Sequence, residues 1–214
     1  MTPDTYFGNE RPEMLAYFPH APGRVLDVGC GKGRFGAMLK RQRPGTVVWG
    51  VEPVAAACEA ASQVLDRALP GLFDEGLDLA PSSFDIVVFN DSLEHFVDHG
   101  QALALAHRLL KPEGRVIASI PNVRHWPHLK RYVLHGDWQY EETGILDRTH
   151  LRFFTYRSIP GTFEAAGLAV QRIEGITPCW RNLRLSLAKL LWPRALQDVL
   201  YLQFAVVAVK AAAQ

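Results

Sequence analysis

Short apolar runs alternate with helix-like segments along this chain, and that alternation limits the folds that it can adopt. The apolar runs are RVLDVG (24–29), TVVWGVE (46–52), FDIVVFN (84–90) and RVIASI (115–120). Helical patterns lie between them, at 33–45, from Pro53 onwards and at 99–110, where Asp98 is a suitable N-cap. Strands separated by helices of this length indicate βαβ units and a mostly parallel sheet. A helix capped by Ser158 and ending at Gly167, followed by strands at 168–173 and 203–210, completes the predicted α/β fold.

Length and composition favour one domain over residues 1–214. Residues 1–20 are predicted to form an N-terminal lid, and residues 175–202 a helical cap inserted before the last strand. The 23 basic and 22 acidic side chains leave a net charge of +1, so no overall charge favours nucleic acid. Three widely spaced cysteines suit free thiols in a reducing compartment. With no signal-peptide pattern and no apolar run of about 18 residues, we expect a cytoplasmic protein without a transmembrane segment.

Glycine occupies every second position in DVGCGKG (27–33), directly after the first predicted strand. Open parallel sheets bind ligands at such a place, beside a helix N-terminus. The spacing differs from the dinucleotide pattern, and Lys32 precedes a glycine instead of the hydroxyl residue of a phosphate loop. Asp27 would repel a pyrophosphate but suits a ligand that carries ammonium and sulfonium groups. Glu52 ends the second strand, where we expect it to lie outside the core and to accept both hydroxyls of a ribose.

Four motifs in order resemble those of class I S-adenosylmethionine-dependent methyltransferases: VLDVGCGKGRFG, GVEP, FDIVVFNDSLEH and LLKPEGRVIASIPN, over roughly residues 20–125. IPNVRH and GILDRTHLRFFT are similar to a bacterial subgroup linked to polysaccharide or secondary-metabolite biosynthesis. The resemblance implies a Rossmann-like fold, with a mostly parallel seven-stranded sheet, an antiparallel last strand and helices on both faces. It also implies S-adenosyl-L-methionine as the cofactor.

The resemblance further implies a set of cofactor-binding residues: Asp27, Gly29, Cys30, Gly31, Glu52, Pro53, Phe73, Asp74, Asn90 and Asp91. Of these, Asp27 and the two glycines would hold the methionine portion, and Asn90 with Asp91 the region near the sulfonium. Many members of that family bind the adenine amino group with an Asp after the third strand. Leu72 stands near that place here, so we expect Phe73 and Asp74 to hold the adenine jointly.

The acceptor side is predicted from histidines, because a neutral imidazole can take the proton of a hydroxyl near neutral pH. His150, in DRTHLRFF, is the first candidate for a base or substrate-orienting group, and His95 the second. The alternatives are a salt-bridged structural loop around His150, and cofactor packing or helix capping by His95. Four further residues are expected to contact the substrate: Tyr6, Arg11, Asn122 and His125.

Metal, nucleic acid and partner roles are less clearly indicated. Asp91, Glu94 and Asp147 could bind magnesium, but no spacing requires it, and we predict no metal. The chain lacks the Asn-Pro-Pro-aromatic pattern of enzymes that methylate nucleic-acid amino groups. Residues 179–202 could form a substrate-side cap, a homodimer face or a membrane-surface helix. The sequence therefore predicts O-methylation of a small molecule such as a sugar or a secondary metabolite. N-methylation of an amino sugar and a non-catalytic binding or regulatory module are the alternatives.

Overall fold

The computed structural model describes residues 10–179, 196 and 198–211. The strands are β1 (Arg24–Val28), β2 (Val47–Glu52), β3 (Arg67–Pro70), β4 (Phe84–Asn90), β5 (Leu110–Pro121), β6 (Leu168–Pro178) and β7 (Tyr201–Lys210). The α-helices are α1 (Arg34–Gln42), α2 (Ala55–Ser62), α3 (His99–Leu109), α4 (Trp126–His135) and α5 (Ser158–Glu164). Short 3₁₀ helices span Pro12–Tyr17 and Leu93–His95.

The strands form one seven-stranded sheet in the order β3-β2-β1-β4-β5-β7-β6. Neighbouring strands pair in parallel, except that β7 pairs antiparallel with both β5 and β6. The predicted sheet with its antiparallel last strand is therefore confirmed. The chain order reverses at β1, which lies between β2 and β4, and open α/β sheets bind their ligands beside such a reversal.

Helices cover both faces of the sheet, as predicted. Along β4, Val87 and Phe89 pack with α3 and α5 on one face. Ile86 and Val88 point the other way and pack with α1 and the Pro12–Tyr17 helix. This alternation follows from the two-residue period of a strand, and it explains why the β4 sequence is apolar almost throughout.

The boundaries differ from prediction in several places. Pro53 precedes the N-cap of α2, Val54, and so lies outside the helix. The N-cap of α5 is Arg157 instead of Ser158. Asp98 caps α3 as predicted, because its side chain accepts a hydrogen bond from the Gln101 amide at 2.9 Å. Helix α4 was not predicted.

Both predicted accessory segments are partly described. In the N-terminal segment, Met14 and Tyr17 are buried against the sheet, so residues 12–18 belong to the core more than to a lid. Tyr6 lies outside the described residues. Residues 175–178 continue β6 and 201–202 begin β7, and most of the predicted cap between them is also outside the described residues. In the described part of the chain, no helix has the length and apolar character needed to cross a membrane.

Candidate active site

A cavity of about 1270 Å³ opens at the carboxyl ends of β1, β2 and β4. Single-ligand pockets usually measure roughly 300–1,000 Å³, so this cavity can hold two ligands side by side. One end, here called the loop end, is lined by Asp27, Glu52 and Asn90. The other, here called the histidine end, is lined by Glu94 and His150, with His95 and Asp147 beside them.

The glycine-rich loop owes its shape to contacts within the protein. Gly29 and Gly33 both have a φ of +74°, a conformation that side chains disfavour. A Cβ at Gly29 would lie 2.9 Å from the Ser92 Cβ, and one at Gly33 would lie 2.9 Å from the Val64 side chain. Packing with neighbouring elements therefore already requires glycine at these two positions. Gly31, with a φ of +53°, is the one that turns its amide towards Glu52.

Glu52 fixes this loop through both of its carboxylate oxygens. One accepts the Gly31 N–H at 2.9 Å, and the other accepts the Val54 N–H at 2.9 Å. The side chain is 4% exposed, so the expectation that Glu52 lies outside the core is wrong. Because a carboxylate offers about four acceptor positions, Glu52 can hold the loop and still accept hydrogen bonds from ligand hydroxyls.

Two features of the loop end fit the expected cofactor. Asp27 is buried, and burial together with the nearby Glu52 charge raises its pKa to about 7. A ligand carrying ammonium and sulfonium charges would relieve that repulsion. Neither amide atom of Asn90 has a hydrogen-bond partner among the described residues, although both are buried. Buried polar atoms are normally paired, so this amide favours a polar ligand in contact with it.

The remaining predicted cofactor residues also line the cavity. Phe73 is buried and meets Phe89 edge-on, with ring centroids 5.9 Å apart. Asp74 is exposed at the rim, and its Oδ1 accepts the Gly76 N–H at 2.8 Å. Pro53 lies on the wall beside Glu52. Cys30 is buried, and burial raises the pKa of its thiol, so it packs as a neutral side chain. All ten residues predicted from the resemblance therefore share one cavity, and their individual contacts with the cofactor stay predictions.

Asp91 is held at the rim by residues distant in sequence. It forms an ion pair with Arg11, and its Oδ1 accepts hydrogen bonds from Gln203 at 2.6 Å and Ser119 at 3.1 Å. Arg11 also donates to the Gln203 side chain at 3.0 Å. Arg11 thus lines the cavity with its guanidinium already paired, and its contact with a substrate stays a prediction. Gln203 and Ser119 were missed, because no local pattern reveals that Asp91 contacts residues in β5 and β7.

Glu94 is the most unusual group at the histidine end. Its side chain is 1% exposed, and burial raises its pKa to about 8. Neither carboxylate oxygen has a hydrogen-bond partner within the described part of the chain. The Nε2 atom of His150 lies 3.8 Å from Glu94 Oε1.

The two histidines are oriented by backbone carbonyls. His150 Nδ1 lies 3.0 Å from the Ile145 oxygen, and His95 Nδ1 lies 3.1 Å from the Thr149 oxygen. A carbonyl oxygen only accepts, so each neutral ring carries its hydrogen on Nδ1 and keeps a lone pair on Nε2. The rings meet edge-on, with centroids 4.8 Å apart. Burial and the neighbouring His150 lower the pKa of His95, which favours its neutral form.

The segment around His150 is anchored by the residue that it faces. The backbone oxygen of Glu94 accepts the amides of Leu151 at 2.9 Å and Arg152 at 3.0 Å. Asp147 Oδ1 accepts the Thr149 amide at 2.8 Å and its hydroxyl at 2.6 Å. These hydrogen bonds support the alternative that DRTHLRFF forms a structural loop, and they also hold His150 at the cavity wall.

Two predicted substrate residues lie elsewhere. The Asn122 amide nitrogen donates to the Asp198 and Tyr201 oxygens, both at 2.9 Å, and its oxygen accepts the Arg124 amide at 2.9 Å. Asn122 is fully buried, so it fixes the backbone and does not face the cavity. His125 is the N-cap of α4 and lines a second cavity of about 220 Å³ instead of the main one. The prediction that these two residues contact a substrate in the main cavity is therefore wrong.

Comparisons with known proteins agree with this geometry. The family model described as "Methyltransferase domain" matches residues 6–173. The demethylmenaquinone methyltransferase of Deinococcus radiodurans is 35% identical over 115 residues, which are 51% of this chain and 48% of that protein. The ubiquinone biosynthesis O-methyltransferase of Aeromonas salmonicida is 27% identical over 159 residues, which are 72% of this chain and 66% of that protein. The matches thus span about half to two thirds of these curated relatives.

Among solved structures, a SAM-dependent methyltransferase from Archaeoglobus fulgidus superposes with a TM-score of 0.71. It shares 19% sequence identity, and the superposition covers 97% of both chains. At that identity the likeness concerns the fold, and it agrees with the sheet order and the position of the cavity described above.

Proposed function

We propose that this chain, which belongs to the class I S-adenosylmethionine-dependent methyltransferase family, transfers a methyl group to a hydroxyl oxygen of a small molecule. S-adenosyl-L-methionine supplies an electrophilic methyl group on a sulfonium when it is bound. The protein then has to hold the cofactor, align the acceptor and accept a proton.

The loop end is suited to the first task. Asp27 and Glu52 are buried carboxylates that favour a ligand with positive charge, and Glu52 has acceptor capacity left for ribose hydroxyls. Asn90 offers a donor and an acceptor that the described residues leave unpartnered. Together these groups support the assignment of the cofactor to this end of the cavity.

The fixed tautomer of His150 is the observation that favours a hydroxyl acceptor. Its Nδ1 contact with the Ile145 oxygen leaves the Nε2 lone pair at the cavity wall, where it can take the acceptor proton. With the cofactor held at the loop end, its methyl group would pass to the acceptor oxygen as the carbon–sulfur bond breaks and S-adenosyl-L-homocysteine is left, while the acceptor proton passes to His150 Nε2. His95, whose ring meets that of His150, would support the same transfer.

A small-molecule acceptor has separate support. Relatives are named for methylating demethylmenaquinone and for ubiquinone biosynthesis, and another for trans-aconitate. The net charge of +1 gives no overall attraction to nucleic acid. The likeness of residues 119–155 to a polysaccharide- and metabolite-related subgroup favours a sugar or secondary-metabolite hydroxyl among the candidates.

The test follows transfer of the methyl label from S-adenosylmethionine to a panel of sugars, phenols and quinone precursors. We expect His150→Ala to lower the rate by roughly 10²–10⁴-fold, which is the usual contribution of a general base. His135→Ala, on an exposed part of α4, is the matched control and should keep the wild-type rate. Label that appears only on protein would contradict the proposal.

N-methylation of an amino sugar is the second candidate, because acidic side chains such as Asp74, Asp91 and Asp147 line the cavity and would accept hydrogen bonds from an amino group. A neutral amine needs less help from a base. A loss of less than about tenfold in His150→Ala would therefore favour an amine acceptor. A chain that failed to bind S-adenosylmethionine at millimolar concentration in calorimetry would instead be a non-catalytic module.

A further inference from the structure

We infer that Glu94, His95 and His150 form a binding site for a divalent transition-metal ion at the histidine end of the cavity. Each residue offers one ligand atom, and these atoms all lie within 4.8 Å of one another. Two come from the 3₁₀ helix Leu93–His95, and the third from the segment that is bonded to the Glu94 backbone oxygen. The proposal replaces the sequence prediction of a metal-free site.

The imidazoles are already arranged as metal ligands require. A ligating histidine usually donates its other ring N–H to a carbonyl or carboxylate, which fixes the tautomer and aims the free nitrogen. His95 and His150 do this through the Thr149 and Ile145 oxygens, at 3.1 and 3.0 Å. Both Nε2 lone pairs are thus left available to a ligand, because the carbonyl partner of each ring is bonded at Nδ1.

The Glu94 carboxyl group is the second, independent observation. It is 1% exposed, and neither oxygen has a hydrogen-bond partner in the described ranges. A buried polar group without a partner is costly, so its presence at a cavity wall needs a reason. A proton alone would still leave the hydroxyl group without an acceptor at hydrogen-bond distance. A cation between Glu94 and the two Nε2 atoms would pair the carboxylate and account for its position.

The ligand types select the ion. Two imidazoles and one carboxylate suit Zn²⁺, Co²⁺, Mn²⁺ or Fe²⁺, whereas Mg²⁺ and Ca²⁺ prefer a shell of oxygen atoms. Bonds of about 2.0–2.1 Å place neighbouring ligand atoms about 3.4 Å apart in a tetrahedral site. His150 Nε2 and Glu94 Oε1 are 3.8 Å apart, so small side-chain rotations would close the cluster. Three protein ligands leave a position free on the cavity side, as catalytic zinc sites do.

The catalytic role of the ion rests on the proposed function, whereas binding of the ion to the protein does not depend on it. A cation at this place would lie beside the acceptor hydroxyl and lower its pKa, so that the proton could leave to water in the metal-loaded protein, whereas in the metal-free protein it would pass to the His150 lone pair. The reaction would then depend on the metal content of the protein.

Titration of Zn²⁺ into chelator-treated, full-length protein, followed by calorimetry, tests the site without cofactor or acceptor. We expect one ion per chain. His95→Ala, His150→Ala and Glu94→Gln should each weaken binding at least roughly a hundredfold, since even the residues behind metal ligands contribute 10–100-fold. His135→Ala is the control for adventitious binding to surface histidines and should bind like wild type. Co²⁺ should give a visible absorption band that the histidine variants lack.

The proposal is overturned if wild-type protein takes up no Zn²⁺, or if His95→Ala and His150→Ala bind it as tightly as wild type. Glu94→Gln preserves the size of the side chain, so it separates loss of a ligand from loss of the fold. S-adenosylmethionine binding, measured on the same samples, reports the loop end. A chain that binds the metal but not the cofactor would refute the proposed function and leave the metal site standing.

Discussion

Replacement of Glu52 by alanine should weaken both the fold and the binding of S-adenosylmethionine. The substitution removes the acceptor of two backbone amides, Gly31 and Val54, each bonded at 2.9 Å. A hydrogen bond to a charged group contributes about 1.5–3 kcal/mol, so the two together set an upper limit of roughly 3–6 kcal/mol. Water entering the space and the relief of repulsion with Asp27 would offset part of this. We expect the free energy of unfolding to fall by about 2–4 kcal/mol.

That loss should be visible as a lower melting temperature and a weaker cofactor affinity. In domains of this size, 1 kcal/mol corresponds to about 2–4 °C, so Tm should fall by roughly 5–15 °C. Loss of the ribose contacts should raise the dissociation constant about tenfold to a hundredfold or somewhat more. Circular dichroism during heating measures the first effect, and isothermal titration calorimetry with S-adenosylmethionine measures the second, well below the new Tm.

Two companion variants sharpen the result. Glu59→Ala removes an exposed acid from α2 and should change neither quantity. Glu52→Gln keeps the size of the side chain but turns an amide N–H towards one of the two backbone donors, so its effects should be intermediate. If Glu52→Ala melted and bound the cofactor like Glu59→Ala, the roles of this carboxylate in the loop and at the ribose would both be wrong.

Two further predictions concern the same loop. Relative to Asp27→Asn, the unfolding free energy of ligand-free protein should fall as pH rises from about 4 to about 7 and then level off, because Asp27 keeps its proton up to a pKa of about 7 in the folded protein but loses it near its ordinary pKa of about 4 when unfolded. Cofactor affinity should change in the opposite direction and weaken by up to about tenfold per pH unit as pH falls below 7. Denaturation and calorimetry experiments that show no pH dependence would contradict this. Gly29→Ala should destabilise the protein by roughly 1–3 kcal/mol more than Gly45→Ala, since both glycines have positive φ but only Gly29 would meet Ser92. Equal urea midpoints for the two variants would refute the packing explanation.

The sheet could be predicted because its strands are apolar for a reason that the sequence displays. Strands such as β4 are covered on both faces, so FDIVVFN reads as a continuous apolar run. The loop end could be predicted as well, since Asp27 and Glu52 stand at strand ends and parallel strands end at the same edge. The pattern could not show that the Glu52 carboxylate also accepts a hydrogen bond from the Gly31 amide. A hydrogen bond between a side chain and a backbone amide distant in sequence leaves no trace in residue spacing.

The other differences from prediction have physical causes that residue spacing does not show. Asn122 was predicted to face the substrate because it follows β5, but its amide is bonded to the backbone at Asp198 and Tyr201, about eighty residues away. His125 does not line the main cavity because it is the N-cap of α4, a helix that the sequence did not reveal. Gln203 went unnoticed although it positions Asp91. Side-chain partners that are distant along the chain decide such cases, and a single sequence does not encode them locally.

Different parts of the structure therefore fix the residues at the two ends of the cavity. The loop end is built from residues within one or two positions of strand ends, so the sheet itself fixes their places. At the histidine end, the place of His150 depends on two hydrogen bonds from the Leu151 and Arg152 amides to the Glu94 oxygen, and on the Asp147 turn before it. Changes within 141–152 can thus shift the acceptor-side groups while Asp27 and Glu52 stay in place. If the proposed function is correct, substitutions within 141–152 would therefore change the choice of acceptor without disturbing the carboxylates at the loop end.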